Sequence, residues 1–260
     1  MEVDLASERR AEQVVGGVEA GLGGAAAAFG HRELQISTMN TDDRVAERLR
    51  GFGPLGILAL FAILAGNLLF VPLSALLVLA WAWRSGTRWS ELGFVRPVSW
   101  VRTVAIGLVF GMALKLVMKA IVMPLLGAPP INPAYHHLVG NTAALPIMLY
   151  LVIAGAGFGE ETVFRGYLFE RMGRLFRPGL WSKAMIVVLT AAFFGLVHYH
   201  DQGVAGVEQA TLVGLVFGTI FAITGQIWLL MIAHAAFDLT AVAIIYWDLE
   251  TAVAQLFLRP

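Results

Sequence analysis

The sequence predicts an all-α membrane protein, a polytopic bundle of about six transmembrane helices. Three observations support this prediction. The 260 residues are 58% hydrophobic and only 14% charged, whereas soluble domains are typically about 25% charged. Several apolar runs reach the roughly 20 residues that a helix needs to cross a bilayer. Most of these runs lack the charged face that a helix of a soluble protein presents to water.

The charge and cysteine counts exclude several other classes of protein. The 18 Lys and Arg balance 18 Asp and Glu, and no basic stripe indicates a nucleic-acid partner. The chain has no cysteine, which excludes disulfides, thiolate nucleophiles and thiolate metal sites. We expect a multi-pass integral protein surrounded by lipid, and we expect its location to be the bacterial inner membrane. The sequence leaves its oligomeric state open.

Residues 1–50 differ from the rest of the chain. Their charges alternate in sign, residues 21–30 are rich in Gly and Ala, and no basic segment leads into an apolar run as in a cleaved signal peptide. We predict a mostly disordered tail, with a short surface helix over residues 41–50 that has Thr41 as its N-cap. A transmembrane domain then covers residues 51–260. Both a dispensable tail and a regulatory arm are open interpretations of the first segment.

Six apolar segments are predicted to cross the membrane. The first is too long for a perpendicular crossing of a core about 30 Å thick, so we expect it to be tilted or bent at Pro72. The six predicted spans are residues 54–83, 102–126, 144–174, 183–200, 207–224 and 226–247.

The distribution of basic residues gives two conflicting indications of orientation. Lys and Arg crowd the loops 84–102 and 171–183 and are absent from 127–144 and 199–206. Basic loops stay in the cytoplasm, yet six spans would then place the arginine-bearing tail outside, against the same rule. The sequence therefore leaves the orientation open.

Charged residues inside the third segment indicate a site. A charge at the bilayer centre costs roughly 2.5–3.5 kcal/mol on insertion scales, so such residues face the bundle interior and mark functional positions. Glu161 and Arg165 are four residues apart on a helix, and we predict that they form a buried structural pair. Glu160 points about 100° away from them and is left for another role.

Other polar residues reach a similar depth. At about 1.5 Å per helical residue, Glu160 and His198 lie at comparable distances along their helices from the turn that joins those helices. His234 and Asp238 rise to mid-depth from Gly225 and share one face. We therefore expect four side chains from three helices to meet in the bundle.

Lys115 and Lys119 also share a face, in the second segment. We interpret them as lysines that pack in the bundle or extend to the interface, with contact to a substrate as the alternative.

These residue types suit hydrolysis. A carboxylate in an apolar pocket can act as a general base near neutral pH, and a neighbouring histidine can help to hold and deprotonate a water molecule. A second His–Asp pair can bind a metal or place a donor where an oxyanion develops. The motifs Gly-x-Ser-x-Gly and His-Glu-x-x-His are absent, so serine hydrolases and zincins are less supported.

Three motifs, taken in order, resemble one family. They are Glu160-Glu161 with Arg165, Phe194 with His198, and His234 with Asp238. This order resembles the signature of the CPBP intramembrane proteases, the CAAX proteases and bacteriocin-processing enzymes that are also called the Abi family. The resemblance covers roughly residues 145–245.

The resemblance implies a membrane-embedded CAAX-type endopeptidase that acts on a peptide or protein, lipidated or not. Glu160 would activate water and His198 would help to position it. His234 and Asp238 would stabilise the oxyanion or share a metal, while Glu161, Arg165 and Phe194 would support the site. A zinc ion bound by Glu160, His198, His234 and Asp238 and a metal-free glutamate mechanism both stay open. Asp238 stands where eukaryotic members carry Asn, which slightly favours the metal.

A non-catalytic protein is the alternative. A membrane scaffold, an immunity protein or a proton-coupled transporter could use the same polar cluster as a structural element or a proton relay.

Overall fold

The computed structural model describes residues 40–257, and all regular secondary structure in that range is helical. We number its helices α1 to α9 in chain order. They are Thr41–Arg50, Pro54–Ala65, Leu73–Ser85, Trp100–Leu125, Thr142–Gly173, Leu180–Val197, Tyr199–Thr224, Trp228–Tyr246 and Glu250–Ala254. The predicted helix over residues 41–50 is present as α1, but Thr41 is its first residue and not its cap. The disordered tail predicted for residues 1–39 lies outside the described range.

Among residues 40–257, five helices, α4 to α8, are long and apolar enough to cross a membrane. The number rises to six if α1 and the helical segment Pro54–Leu68, which meet at a bend of 61°, count as one crossing. The predicted polytopic helical bundle is confirmed, and the chain is an integral membrane protein.

The first predicted span, residues 54–83, consists of two helices that form a hairpin. At one end, Trp81 Nε1 donates a hydrogen bond of 3.1 Å to the carbonyl oxygen of Leu49, just before α2 begins. At the other end, Asn67 and Ser74 exchange two hydrogen bonds, of 3.0 and 2.9 Å, between side chain and backbone. Because α2 and α3 run antiparallel, both ends of the hairpin lie on the same side of the membrane.

The break in this segment has a local cause. Pro72 lacks a backbone N–H and cannot continue the helical hydrogen-bond pattern. Exposed backbone groups are costly in lipid unless they find partners, and the side chains of Asn67 and Ser74 supply partners for two of them. The sequence analysis treated Pro72 as a bend, whereas the chain reverses its direction there.

The α2–α3 hairpin lies along α5. Near its tip, the hydroxyl of Tyr150 donates a hydrogen bond to the carbonyl oxygen of Val71. At its base, the guanidinium of Arg171 donates to the carbonyl oxygens of Arg50 and Gly51. The tip therefore reaches the depth at which the first half of α5 runs.

Helix α5 is unusually wide. Its segments Leu151–Glu160 and Thr162–Leu168 are π-helical, a conformation that is rare and often marks functional positions. Glycines in the first segment let neighbours come close: a Cβ added to Gly157 would lie 2.9 Å from the carbonyl oxygen of Met231 in α8. The backbones of α5 and α8, the helices that carry the candidate site residues, therefore approach each other closely at this point.

Helices α6 and α7 meet at His198. The predicted spans ended and began later, at residues 200 and 207, but α6 ends at Val197 and α7 begins at Tyr199 with a kink at Gly203. Gly203 has a φ of 62°, which glycine adopts without strain. Gly214 permits a close approach of α7 to α6, since an added Cβ would lie 3.0 Å from Ala191 Cα.

Candidate active site

A cavity of about 590 Å³ lies between the helices. Its walls come from the tip of the α2–α3 hairpin, from helices α4 to α9 and from the loop before α5. Four residues predicted to form the catalytic site line this one cavity: Glu160, His198, His234 and Asp238. The structure thus brings together side chains from α5, from the end of α6 and from α8.

His234 lies at the centre of the cluster. Its Nε2 is 3.7 Å from Glu160 Oε2 and also 3.7 Å from Asp238 Oδ2. These separations exceed a direct hydrogen bond, so neither carboxylate is hydrogen-bonded to Nε2. The two carboxylates and the imidazole therefore surround a common point at the cavity wall.

Glu161 fixes the orientation of His234. Its Oε1 accepts a hydrogen bond of 2.8 Å from Arg165 Nη1 and lies 2.7 Å from His234 Nδ1. Because a carboxylate accepts hydrogen bonds, the proton of this bond belongs to Nδ1, and Nε2 is directed at the cavity. The sequence analysis gave Glu161 only the pairing with Arg165 and missed its contact with His234.

Two aromatic rings enclose the buried ion pair. The guanidinium carbon of Arg165 lies 4.8 Å from the ring centroid of Phe194 and 5.5 Å from that of Phe217. Phe217 also packs edge-on against His234, with the two centroids 5.5 Å apart. The faces of aromatic rings attract cations, so these rings hold Arg165 and, through Glu161, the imidazole of His234.

His198 is fixed in a similar way. Its Nδ1 lies 2.7 Å from the carbonyl oxygen of Phe194, and its ring packs edge-on against the Phe194 ring at 4.7 Å. A carbonyl oxygen only accepts, so Nδ1 donates, and in the neutral imidazole Nε2 is then an acceptor. Phe194, predicted as a supporting residue, therefore contacts both His198 and Arg165.

The exposed fractions of the side chains of Glu160, Glu161 and Asp238 indicate different roles for the three carboxylates. The side chains of Glu160 and Asp238 are 28% and 27% exposed, and both line the cavity. The side chain of Glu161 is fully buried. Glu160 and Asp238 can meet a substrate or water, whereas Glu161 can act only through Arg165 and His234.

The four predicted catalytic residues are also the predicted ligands of a zinc ion. Within residues 40–257, no three His, Asp or Glu side chains are grouped so that they could hold a metal ion. Zinc takes nitrogen and oxygen ligands at about 2.0–2.2 Å, and the bond from His234 Nδ1 to Glu161 leaves Nε2 as the ring nitrogen that could bind a metal. Zinc binding by these residues therefore stays a prediction.

Sequence reasoning missed two other polar residues of the cavity wall. Gln209 accepts a hydrogen bond of 3.1 Å from Lys115 Nζ. Glu250 pairs with Lys119 Nζ at 2.9 Å and accepts a bond of 3.0 Å from the backbone of Asn132. Gln209 lies in an apolar segment, so the cost of a buried polar group was a signal that the sequence offered. The burial of Glu250 is visible only in the structure.

Tyr135 lies at the edge of the cavity, in the loop before α5. Burial raises the pKa of its phenol, because a phenolate is poorly solvated there. Gln202 Nε2 lies 3.4 Å from the hydroxyl and donates to it. Tyr135 is therefore a neutral hydroxyl at physiological pH, available as a donor to the cavity.

The fold and this cavity define a polytopic helical membrane protein with carboxylates and imidazoles gathered between its helices. Residues 142–240 match the model of the family described as type II CAAX prenyl endopeptidase Rce1-like. The matched segment contains all four predicted catalytic residues, and the match confirms the predicted resemblance to the CAAX protease family. No curated protein and no solved structure matches the chain.

Proposed function

We propose that this protein is an intramembrane endopeptidase in which Glu160 activates water to hydrolyse a peptide bond. The observation that carries the proposal is the position of His234 Nε2, 3.7 Å from both Glu160 and Asp238 at the wall of one cavity. The match to a CAAX endopeptidase family supports a CAAX-type protease.

Glu160 is the general base in this proposal. Its Oε2 has no hydrogen-bond partner among the described residues, and its side chain meets the cavity. A water molecule held between Glu160 and His198 Nε2 would lose its proton to Glu160 as its oxygen attacks the carbonyl carbon. Positioned bases of this kind typically contribute about 10²–10⁴-fold to a rate.

His234 stabilises the charge that develops on the carbonyl oxygen. In its protonated form, Nε2–H donates to the oxyanion, while Nδ1–H stays bound to Glu161. An ionised Asp238 cannot donate a hydrogen bond, so its role is to orient the Nε2 side of His234. When the tetrahedral intermediate collapses, the C–N bond breaks and the amine nitrogen takes the proton from Glu160.

The proposed substrates are peptides or proteins, lipidated or not, that reach the cavity from the membrane or from the water at its mouth. We place the protein in the bacterial inner membrane. Peptide maturation and the trimming of lipid-linked C-terminal tails both fit the proposed chemistry.

Zinc is a separate proposal, because Glu160, His198, His234 and Asp238 are nitrogen and oxygen donors of the kind that zinc takes. Bound zinc would supply a Lewis acid and an activated water. Elemental analysis of the purified protein, combined with a chelator titration of activity, tests it. One zinc per chain and loss of activity with the chelator would support it, and full activity in metal-free protein would contradict it.

The central test compares Glu160→Gln and His198→Ala with the unmodified protein in detergent or in liposomes. We expect Glu160→Gln to lower peptide cleavage by at least about 10²-fold, without a change in the unfolding temperature. Glu91→Gln is the matched control, because Glu91 lies in the loop after α3 and pairs with Arg88 at 2.7 Å, away from the cavity.

Retained cleavage in Glu160→Gln would refute the proposed mechanism. Proton-coupled transport by the reconstituted protein, with no cleavage of a peptide library, would favour the transporter alternative. A loss of stability without a specific loss of cleavage would favour a structural polar cluster.

A further inference from the structure

Lys115 is a buried cation that the proposed mechanism does not use. The residue is 8% exposed and lines the cavity that holds the candidate catalytic residues. Its Nζ donates one hydrogen bond, of 3.1 Å, to the neutral amide oxygen of Gln209. It also lies 4.7 Å from the ring centroid of Phe237, the residue that precedes Asp238.

Two other cations, Lys119 and Arg165, have carboxylate partners. Lys119, one turn along the same helix, pairs with Glu250 at 2.9 Å, and Arg165 pairs with Glu161 at 2.8 Å. No such ion pair is formed by Lys115 among residues 40–257. The carboxylates of Asp238 and Glu250 line the same cavity and attract this ammonium group without forming an ion pair with it. Burying an ammonium group without a paired carboxylate is costly, so this cavity is suited to a ligand that brings a carboxylate within bonding distance.

We propose that Lys115, together with Gln209, binds a carboxylate of the substrate and makes the enzyme selective for acidic peptides. This inference rests on the proposed function. The carboxylate is the free C-terminus of the peptide or an Asp or Glu side chain. An extended peptide covers about 3.3–3.6 Å per residue, and Lys115 lies against Phe237 beside the candidate site, so the bound carboxylate lies within a few residues of the cleaved bond.

The test uses an internally quenched library of uncharged peptides, prepared as free acids and as C-terminal amides. A third set carries the amide and one Asp near its C-terminus. We expect the unmodified protein to cleave free acids roughly 10- to 100-fold better in kcat/KM than amides, the range of a hydrogen bond to a charged group. If a side-chain carboxylate serves equally, the Asp-bearing amides recover the rate.

Variants link this preference to Lys115. Lys115→Met should remove it, and Lys115→Arg should keep it. Gln209→Glu should also remove it, because the new carboxylate pairs with Lys115 inside the protein. Lys183→Met is the matched control: Lys183 is exposed, donates to the carbonyl oxygen of Ala222, and lies outside the cavity.

Equal cleavage of acids and amides by the unmodified protein would overturn the inference and leave the proposed peptidase activity standing. If no peptide is cleaved, the proposed function fails, and the affinity of the protein for the peptides then tests the carboxylate contact. Fluorescence anisotropy with the Glu160→Gln variant compares the affinity of the acid and amide peptides. Tighter binding of the acids that disappears in Glu160→Gln/Lys115→Met supports the inference, and equal affinity overturns it.

Discussion

The adjacent residues Glu160 and Glu161 have the same chemistry and different surroundings. Glu160 meets the cavity, whereas Glu161 is buried and shares one oxygen between Arg165 and His234. Substitution of Glu160 removes a group that can contact substrate. Substitution of Glu161 removes the counter-charge of a buried guanidinium, so the two changes should have different consequences.

Glu161→Gln should destabilise the protein strongly. Loss of one partner of a buried ion pair typically costs about 3–5 kcal/mol, because the other charge is left uncompensated. The free energy of unfolding in mixed micelles measures this loss, and Glu160→Gln is the matched control, with the same chemical change one residue away.

Arg165 provides a second arm of this experiment. In the double variant Glu161→Gln/Arg165→Met, the guanidinium is removed together with its counter-charge, so part of the lost stability should return. Unmodified stability in Glu161→Gln, or strictly additive losses in the double variant, would contradict the role assigned to the pair.

At the scale of the helices, glycine determines how closely the site-bearing elements approach. A Cβ added to Gly111 in α4 would lie 2.1 Å from the carbonyl oxygen of Ala233 in α8. This contact is to backbone, which cannot rotate away. Small residues permit this kind of close packing between membrane helices, and Ala233 directly precedes His234. The α4–α8 contact therefore fixes the height and rotation of His234.

Gly111→Ala should separate α4 from α8 and lower both stability and activity. Overpacking typically costs about 1–3 kcal/mol, and we expect a fall in the unfolding temperature together with a fall in kcat. Gly173→Ala is the control, since a Cβ there would meet nothing within 4 Å. Equal behaviour of the two variants would show that the close approach is not required.

For the whole molecule, the α2–α3 hairpin removes the conflict over orientation. Because the hairpin returns to its starting side, α1 and the loop after α3 lie on one side, together with the α5–α6 turn. The described basic residues on that side are Arg44, Arg48, Arg50, Arg84, Arg88, Arg96, Arg102, Arg171, Arg174, Arg177 and Lys183. The opposite segments, residues 126–141, 198–203 and 247–257, contain no Lys or Arg.

The positive-inside rule then predicts that α1 faces the cytoplasm. The loop before α5 and helix α9 lie on the other side. They line the cavity through residues that include Tyr135 and Glu250. We therefore expect the cavity to open away from the cytoplasm, which favours substrates that are exported or presented from the outer leaflet.

Cysteine labelling tests this orientation directly, because the chain has no cysteine of its own. Ser90→Cys and His137→Cys place a thiol at exposed positions in the loops after α3 and before α5. In intact cells, a membrane-impermeant maleimide should label His137→Cys only, and Ser90→Cys should react after permeabilisation. The reverse pattern would show that the cavity opens to the cytoplasm.

The sequence alone determined the class of fold and the members of the candidate site. Apolar runs of about 20 residues cross the lipid as helices, because a segment that is not part of a closed barrel can form all its backbone hydrogen bonds there only as a helix. The cost of placing Glu160, His198, His234 and Asp238 among apolar residues was the signal that predicted them as a candidate site. Helical spacing of four residues also predicted the contact between Glu161 and Arg165.

Only the tertiary structure decided how these residues face one another. The bond from His234 to Glu161 joins residues 73 positions apart, and it depends on the rotation of α5 and α8, which apolar sequences leave undetermined. The reversal at Pro72 likewise depends on Asn67 and Ser74 meeting across a turn. The apolar composition of a segment sets its free energy of transfer from water into lipid. That free energy is almost the same for one long helix and for two antiparallel helices, so packing contacts decide which of them forms.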